Sequence, residues 1–304
     1  MDGPSAGTAT SRFAKPKVTQ GTLGRRARRA ALPYLLILPA ALLVVGLVLS
    51  LVQLFTASLV GPGGTTGAFQ YQKIVGTPAY VLTFWRSAWW ALLGTGVTAI
   101  LAYPVAWYME QAGAGTRRLI LAFLVLIFFS DYVLRMYGLV LVLGKAGVVN
   151  RVLLWTGIVD DPVRMLYNPF GVIVGMVTGS LPFMIFALNG VLSRIDRSQL
   201  QAAALLGAAP LTVFRRIVLP LSVTGLVSGS IIVFLLSLNS FITPALLGGG
   251  FVEMAATFIY EQAINLNNLP LGAAAAMILF AAAMLLLLGV NKLVDRFGRR
   301  FGVT

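Results

Sequence analysis

The sequence predicts an all-α integral membrane protein of six transmembrane helices with both termini cytoplasmic, and three observations carry that prediction. Hydrophobic residues make up 58% of the 304-residue chain and charged residues only 11%, a balance too apolar for a water-soluble domain of this length. Six runs are each long enough to cross a hydrocarbon core of about 30 Å; they cover residues 32–55, 87–109, 119–143, 170–192, 221–246 and 271–290. Basic residues flank those runs unequally, and such an imbalance sets the orientation of a multi-span protein.

Residues 1–30 read as a disordered basic tail, because up to Thr22 they are rich in Gly, Ser, Thr, Pro and Lys and offer little to bury. The tail ends on Arg25-Arg26-Ala27-Arg28-Arg29, directly before the first span. That span is longer than a signal-peptide core and lacks a clear small-residue cleavage site, so it is expected to remain as an anchor. Trp85, Trp89 and Trp90 at the start of the second span fit an interfacial aromatic belt. Arg117 and Arg118, then Arg194, Arg197, Arg215 and Arg216, then Lys292, Arg296, Arg299 and Arg300 all fall on the side of the N-terminal cluster. The opposite side carries Lys73, Arg86, Lys145, Arg151 and Arg164 over longer loops. Both termini and the loop of residues 193–220 are therefore expected in the cytoplasm. The spans form one domain, residues 31–294, followed by a second basic tail, residues 295–304. The setting implied is a lipid membrane, crossed several times.

Composition also excludes functions. The net charge of +14 sits in span flanks and tails, which suits anionic membrane lipid and not nucleic acid. There is no Cys and no His, so neither a thiolate site nor the commonest general base and metal ligand is present; no metal site and no catalytic residue are expected. No G-x-x-x-x-G-K-[ST] stretch occurs, so no nucleotide cofactor is expected on this chain and any ATP must be used by another.

Inside the spans, Pro104, Pro182 and Pro244 each remove a backbone hydrogen bond and can bend a helix, either to gate a path or merely to pack. Asp131 and Arg135 are the ionisable residues that lie clearly within a span. Spaced i, i+4, they lie on one helical face and can neutralise each other. A structural ion pair is the favoured reading and ligand contact the alternative; replacing Arg135 with Ala is expected to reduce activity or assembly. Glu253 and Glu261, with Asn265, Asn267 and Asn268 nearby, read as a solvated outer loop that could also meet a binding protein.

The polar loop after the fourth span is the most informative segment. Asp196 and Ser198 are N-cap types ahead of an Ala-rich helix-forming run, residues 199–206. Gly207 can stop that helix and Pro210 can open another. Small residues at Ala202, Ala203 and Gly207 would let a partner's backbone come close, and Arg215 and Arg216 keep the exit in water. Within it Gln201-Ala202-Ala203, Gly207 and Ile217-Val218-Leu219-Pro220 recur at a spacing that resembles the EAA loop of ABC importer permeases.

That resemblance implies a type I ABC importer permease fold. It further implies that Gln201, Ala202, Ala203, Gly207, Ile217, Leu219 and Pro220 belong to a coupling loop docking on a cytosolic ABC ATPase, present in two copies. A second homologous permease and an extracytoplasmic solute-binding protein are the other implied partners. Gln201 stands where the motif has Glu, so the carboxylate for a salt bridge to the ATPase at that point is replaced by a neutral amide.

From Leu32 to about Leu293 the chain is similar to the spermidine/putrescine-type branch. Ala102-Tyr103-Pro104-Val105-Ala106, Arg135-Met136-Tyr137-Gly138, Leu181-Pro182-Phe183-Met184, the run from Phe241 to Gly249, and Leu269-Pro270-Leu271-Gly272-Ala273 carry that similarity. The branch favours a different chain as the second permease. Together with the ionisable and proline positions above, Asp131, Arg135, Tyr137, Asn239, Ser240, Thr243 and Pro244 form the candidate pathway for a small, polyamine-like or related solute. Ser240 departs from the acidic residue frequent before the Phe, and Leu269 from the usual Trp, which leaves the solute open. The alternative class, a secondary transporter or channel subunit without an ATPase, would normally show intramembrane acids or an internal repeat. A membrane enzyme would need a Ser/Lys or carboxylate pair, and none is evident in the sequence.

Overall fold

A computed structural model of the chain describes residues 21–301. The first 20 residues of the expected tail, and residues 302–304 of the second one, lie outside the described residues, as do the side chains of the basic clusters at residues 25–29 and 292–300. The helices are α1 (Gly21–Ser58), α2 (Phe69–Gly76), α3 (Pro78–Gln111), α4 (Ala114–Phe129), α5 (Tyr132–Leu143), α6 (Val148–Trp155) and α7 (Pro169–Leu192). They continue with α8 (Arg197–Leu205), α9 (Pro210–Val213), α10 (Leu219–Leu238), α11 (Ile242–Leu247), α12 (Ala255–Tyr260) and α13 (Leu269–Phe301). No strand occurs among the described residues, only an isolated bridge between Val60 and Thr66.

Two compact units divide at Gln53. The first holds most of α1, whose stretch Leu38–Ser58 has a mean hydropathy of 2.4. Both helices extend beyond their membrane runs, α1 being described from Gly21 and α13 as far as Phe301. Arg, Ala, Leu and Lys are strong helix formers, and they let each helix continue past its apolar part.

The second unit is built on α3, α7 and α10, which share a core of Ala102, Ala106, Met109, Met184, Leu188 and Val233, all fully buried. Small residues permit the close approach. A Cβ on Gly225 would lie 2.9 Å from Val191 Cγ2, and one on Gly229 would lie 2.7 Å from Met184 Sδ. Without a hydrophobic drive between helices in lipid, such contact is what holds a bundle together.

Six helical stretches among the described residues are long and apolar enough to cross a membrane, the third being Tyr132–Trp155. That stretch turns between α5 and α6 at residues 144–147; α4 and α5 together cover the third apolar run more fully. Two spans expected as single helices are broken. The third is interrupted at Ser130 and Asp131, where the Leu134 N–H donates to Asp131 Oδ1 at 2.8 Å and starts a new helix. The fifth is interrupted at residues 239–241, between α10 and α11. Asn239 there turns its side chain back, donating from Nδ2 to the Leu235 carbonyl at 2.9 Å. Small polar side chains that bond nearby backbone compete with the helix ladder, and both breaks fall on them.

Candidate functional site

The two breaks meet. The Tyr132 hydroxyl, one residue past the first break, lies 2.6 Å from Thr243 Oγ1 beyond the second. Beside this junction opens a cavity of about 750 Å³, lined among others by Phe128, Arg135, Phe183, Ser237, Asn239 and Ser240. Its wall is mostly apolar, with a few polar groups brought to one place, as small-molecule sites tend to be.

Arg135 is the charged residue of that lining. Its Nη1 donates to the Thr178 carbonyl at 3.4 Å, its guanidinium lies 5.4 Å from the Tyr132 ring centroid, and its Nε has no partner. The Ser237 and Ser240 hydroxyls on the same wall are also buried and unpartnered. Buried polar groups are ordinarily bonded, so three orphans on one cavity mark a place built for something else.

Of the pathway residues suggested by sequence, Arg135, Asn239 and Ser240 line the cavity, and Thr243 stands behind it, buried and bound to Tyr132. Three do not join them. Tyr137 is 54% exposed and outside the lining. Pro244 is buried in the first turn of α11, where a missing N–H costs no helical bond, so it does not kink a membrane helix. Asp131 caps α5 from an exposed position and forms no ion pair with Arg135. The i, i+4 geometry needs both residues inside one helix, and the break places Asp131 just outside it.

Sequence reading missed Tyr132, Ser237 and the glycines that seat the junction. A Cβ on Gly175 would lie 2.5 Å from Thr243 Cγ2, and one on Gly179 2.8 Å from Tyr132 Cε2. The available signal was the spacing of four shared by Gly171, Gly175 and Gly179, a small-residue face on a membrane helix.

A smaller cavity, about 410 Å³, adjoins the first through Phe241, which lines both. It carries Glu253 and Glu261, and its Tyr260 ring lies 4.6 Å, centroid to centroid, from Phe241.

The loop of residues 193–220 forms a second candidate site. The Ser198 N–H donates to Asp196 Oδ1 at 2.9 Å at the start of α8. Gln201, Ala202 and Ala203 lie on that helix, with Gln201 and Ala202 exposed. It ends at Gly207, whose φ of +75° is open to glycine and strained for most other residues. Pro210 then opens α9. A π-helical turn, Phe214–Val218, carries Ile217 and leads into α10, where Leu219 and Pro220 form the first turn. Leu205 and Leu206 are 89% and 88% exposed at the elbow. Ile195, Leu200 and Phe214, in contrast, pack on the core shared by α3, α7 and α10. The Phe214 ring meets Tyr103 at 5.4 Å and Trp107 at 6.2 Å, both edge-on. One side of the loop is thus free, and the other grips the bundle.

Residues 75–300 match the family model described as binding-protein-dependent transport system inner membrane component. The chain is 34% identical over 211 residues to the spermidine/putrescine transport system permease protein PotB of Escherichia coli K12, covering 69% of this chain and 77% of that one. It is 28% identical over 255 residues to the putative 2-aminoethylphosphonate transport system permease protein PhnU of Salmonella choleraesuis, covering 81% and 85%. Among solved structures, a chain of a bacterial alginate ABC transporter in complex with an alginate pentasaccharide-bound periplasmic protein superposes with a TM-score of 0.75 at 19% identity, covering 90% of this chain and 98% of that one. The MetNI methionine ABC transporter gives a TM-score of 0.51 at 16% identity, covering 72% and 98%.

Proposed function

Because this chain belongs to the family of binding-protein-dependent transport system inner membrane components, it is a multi-pass inner-membrane permease subunit of an ATP-driven importer, and we propose how it works. A solute-binding protein delivers a small solute to the outer side. The solute passes through the cavity beside Tyr132 and Thr243, whose far wall a second homologous permease supplies. Two copies of a cytosolic ABC ATPase dock on the loop of residues 193–220 and drive the exchange between outward and inward openings. The chain itself catalyses nothing and holds no cofactor; ATP is bound and hydrolysed by its partners.

The observation that carries this reading is the two-sided loop. Leu205 and Leu206 present bare apolar surface, which marks a protein contact, while Phe214 transmits force to α3 through Tyr103 and Trp107. The basic flanks support placing this loop on the cytoplasmic side. PotB and PhnU, as relatives, point to a small amine-bearing cargo, polyamine-like or related.

Reconstitution tests the proposal. In proteoliposomes holding this chain with its second permease and ATPase, uptake should require ATP, the binding protein and an ATPase competent in hydrolysis. Solute movement by this polypeptide without any ATPase would overturn it in favour of a secondary transporter or channel.

A further inference from the structure

We propose that α6 is an interfacial anchor, lying in the outer surface of the phospholipid bilayer with Val148, Val152 and Trp155 seated among the lipids. The anchor does not depend on the import reading; it needs only a chain inserted in the membrane. The helix is held from one side. Asn150 is fully buried and donates from Nδ2 to the Gly144 and Val163 carbonyls, each at 3.0 Å, while its Oδ1 accepts from the Val163 N–H at 2.8 Å. Val149 and Leu153 pack on the core of Met136, Leu143, Met165, Leu166 and Leu247. At about 100° per residue, these three side chains share one face of the helix, and Val148, Val152 and Trp155 share the opposite one. Trp155 is 87% exposed and both valines are more than half exposed. A helix that is apolar on both faces, one packed and one bare, makes its second contact outside the chain.

Lipid fits that contact on three counts. Bare apolar side chains lead up to α6 from both neighbouring membrane elements, Leu141 near the end of α5 and Phe170 at the start of α7, so the helix stands where the chain leaves and re-enters hydrocarbon. Trp155, Lys145 and Arg151 are all exposed, and they are residue types that settle at the headgroup boundary, the ring beside the upper acyl chains and the cations toward phosphate. Size argues the same way. A buried aromatic side chain contributes about 150–250 Å², so one Trp and two Val fall well short of the ~800 Å² per side of a stable protein interface. A binding protein that docks and leaves would also return the stripe to water in every cycle. Asn150 ties α6 to the turn that ends α5, and α5 begins at Tyr132 beside the cavity. Anchoring α6 therefore fixes the depth of that junction in the bilayer.

The chain has no Cys, so a single introduced thiol can carry a nitroxide, and the bare stripe loses no internal packing to it. The chain is labelled before assembly and the complete importer is placed in vesicles of phosphatidylethanolamine and phosphatidylglycerol. Labels on Val152→Cys and Trp155→Cys should collide more with dissolved oxygen, which concentrates in lipid, than with a water-soluble nickel chelate. A label on Asp161→Cys, at an exposed loop position, should show the reverse order. If the two stripe positions shared the order of Asp161→Cys, α6 would stand in water and the proposal would be overturned. Shielding of the stripe from both reagents, with or without added binding protein, would show that a protein covers it and would overturn the proposal equally.

Discussion

Tyr132 and Thr243 lie 111 positions apart in sequence and join two broken membrane helices by a hydroxyl–hydroxyl hydrogen bond of 2.6 Å. Either hydroxyl can donate in that bond, and Met136 Sδ lies 3.7 Å from Thr243 Oγ1 as a weak acceptor beside it. Removing either hydroxyl should cost about 1 kcal/mol. In thermal unfolding of the purified chain, Tyr132→Phe and Thr243→Val should each lower stability, and the double variant should lose no more than the worse single one. Strictly additive losses would show that the bond contributes nothing.

Gly175 and Gly179 place α7 against that same junction. A methyl on Gly175 would stand 2.5 Å from Thr243 Cγ2, a side chain buried on every side, and one on Gly179 2.8 Å from the Tyr132 ring. Overpacking of this kind costs about 1–3 kcal/mol. Gly175→Ala and Gly179→Ala should therefore reduce thermal stability and uptake together. Gly190→Ala on the same helix, where nothing lies within 4 Å, should do neither.

The helices were legible in the sequence because each apolar run is long and continuous, and a bilayer admits few other structures. The interruptions were not, since Ser130 and Asp131, or Asn239 and Ser240, change the mean hydropathy of a long run very little. Reading the third run as one helix then turned Asp131 and Arg135 into a pair. The cap signal was present, with Asp131 standing three residues before Leu134, but inside an apolar stretch it competes with a reading of unbroken helix. The loop of residues 193–220 was more legible, because Asp196, Gly207 and Pro210 act on backbone geometry locally and need no distant partner. Phe214, by contrast, belongs to a π-helical turn and meets α3 more than 100 positions away, a contact no local pattern encodes.

Phe214 should therefore matter more than its place in a short loop suggests. Each edge-on ring contact is worth about 0.5–1.5 kcal/mol beyond area burial, and Phe214 makes two, to Tyr103 and Trp107. Phe214→Ala should leave the chain in the membrane while sharply lowering the ATPase stimulation produced by the binding protein. Phe214→Leu, which keeps bulk without the ring edge, should fall between. Full stimulation in Phe214→Ala would show that force does not travel by this route.

Asp196 ties the loop to pH. Its carboxylate is held below the ordinary value of 3.8, first by the Ser198 backbone N–H and then by the Ser198 side chain. A lowered pKa in the folded state means the cap stabilises α8 fully above that ordinary value and loses this contribution as pH falls through the lower folded one. Amide exchange across residues 198–206 should accordingly stay flat from neutral pH down to about 4 and quicken below it, once corrected for intrinsic rates. Asp196→Ala should quicken it at neutral pH as well. Exchange unchanged in that variant would remove the cap from the account of α8.

The elbow at Leu205, Leu206 and Gly207 separates docking from folding. Both leucines are nearly bare, so Leu205→Glu with Leu206→Glu removes no internal packing and should leave abundance and thermal stability unchanged. A docked ATPase would instead have to bury two charges, and copurification with it should be lost. Gly207 acts differently. Nothing lies within 4 Å of its missing side chain, so a substitution meets no clash, and the strain comes only from the positive φ. Asn tolerates that region and Val does not. Gly207→Asn should therefore keep ATP-driven uptake, whereas Gly207→Val should shift the elbow and hydrolyse ATP without import. If Gly207→Val transported normally, the left-handed turn would be incidental to coupling, and the exposed leucines alone would have to account for the docking.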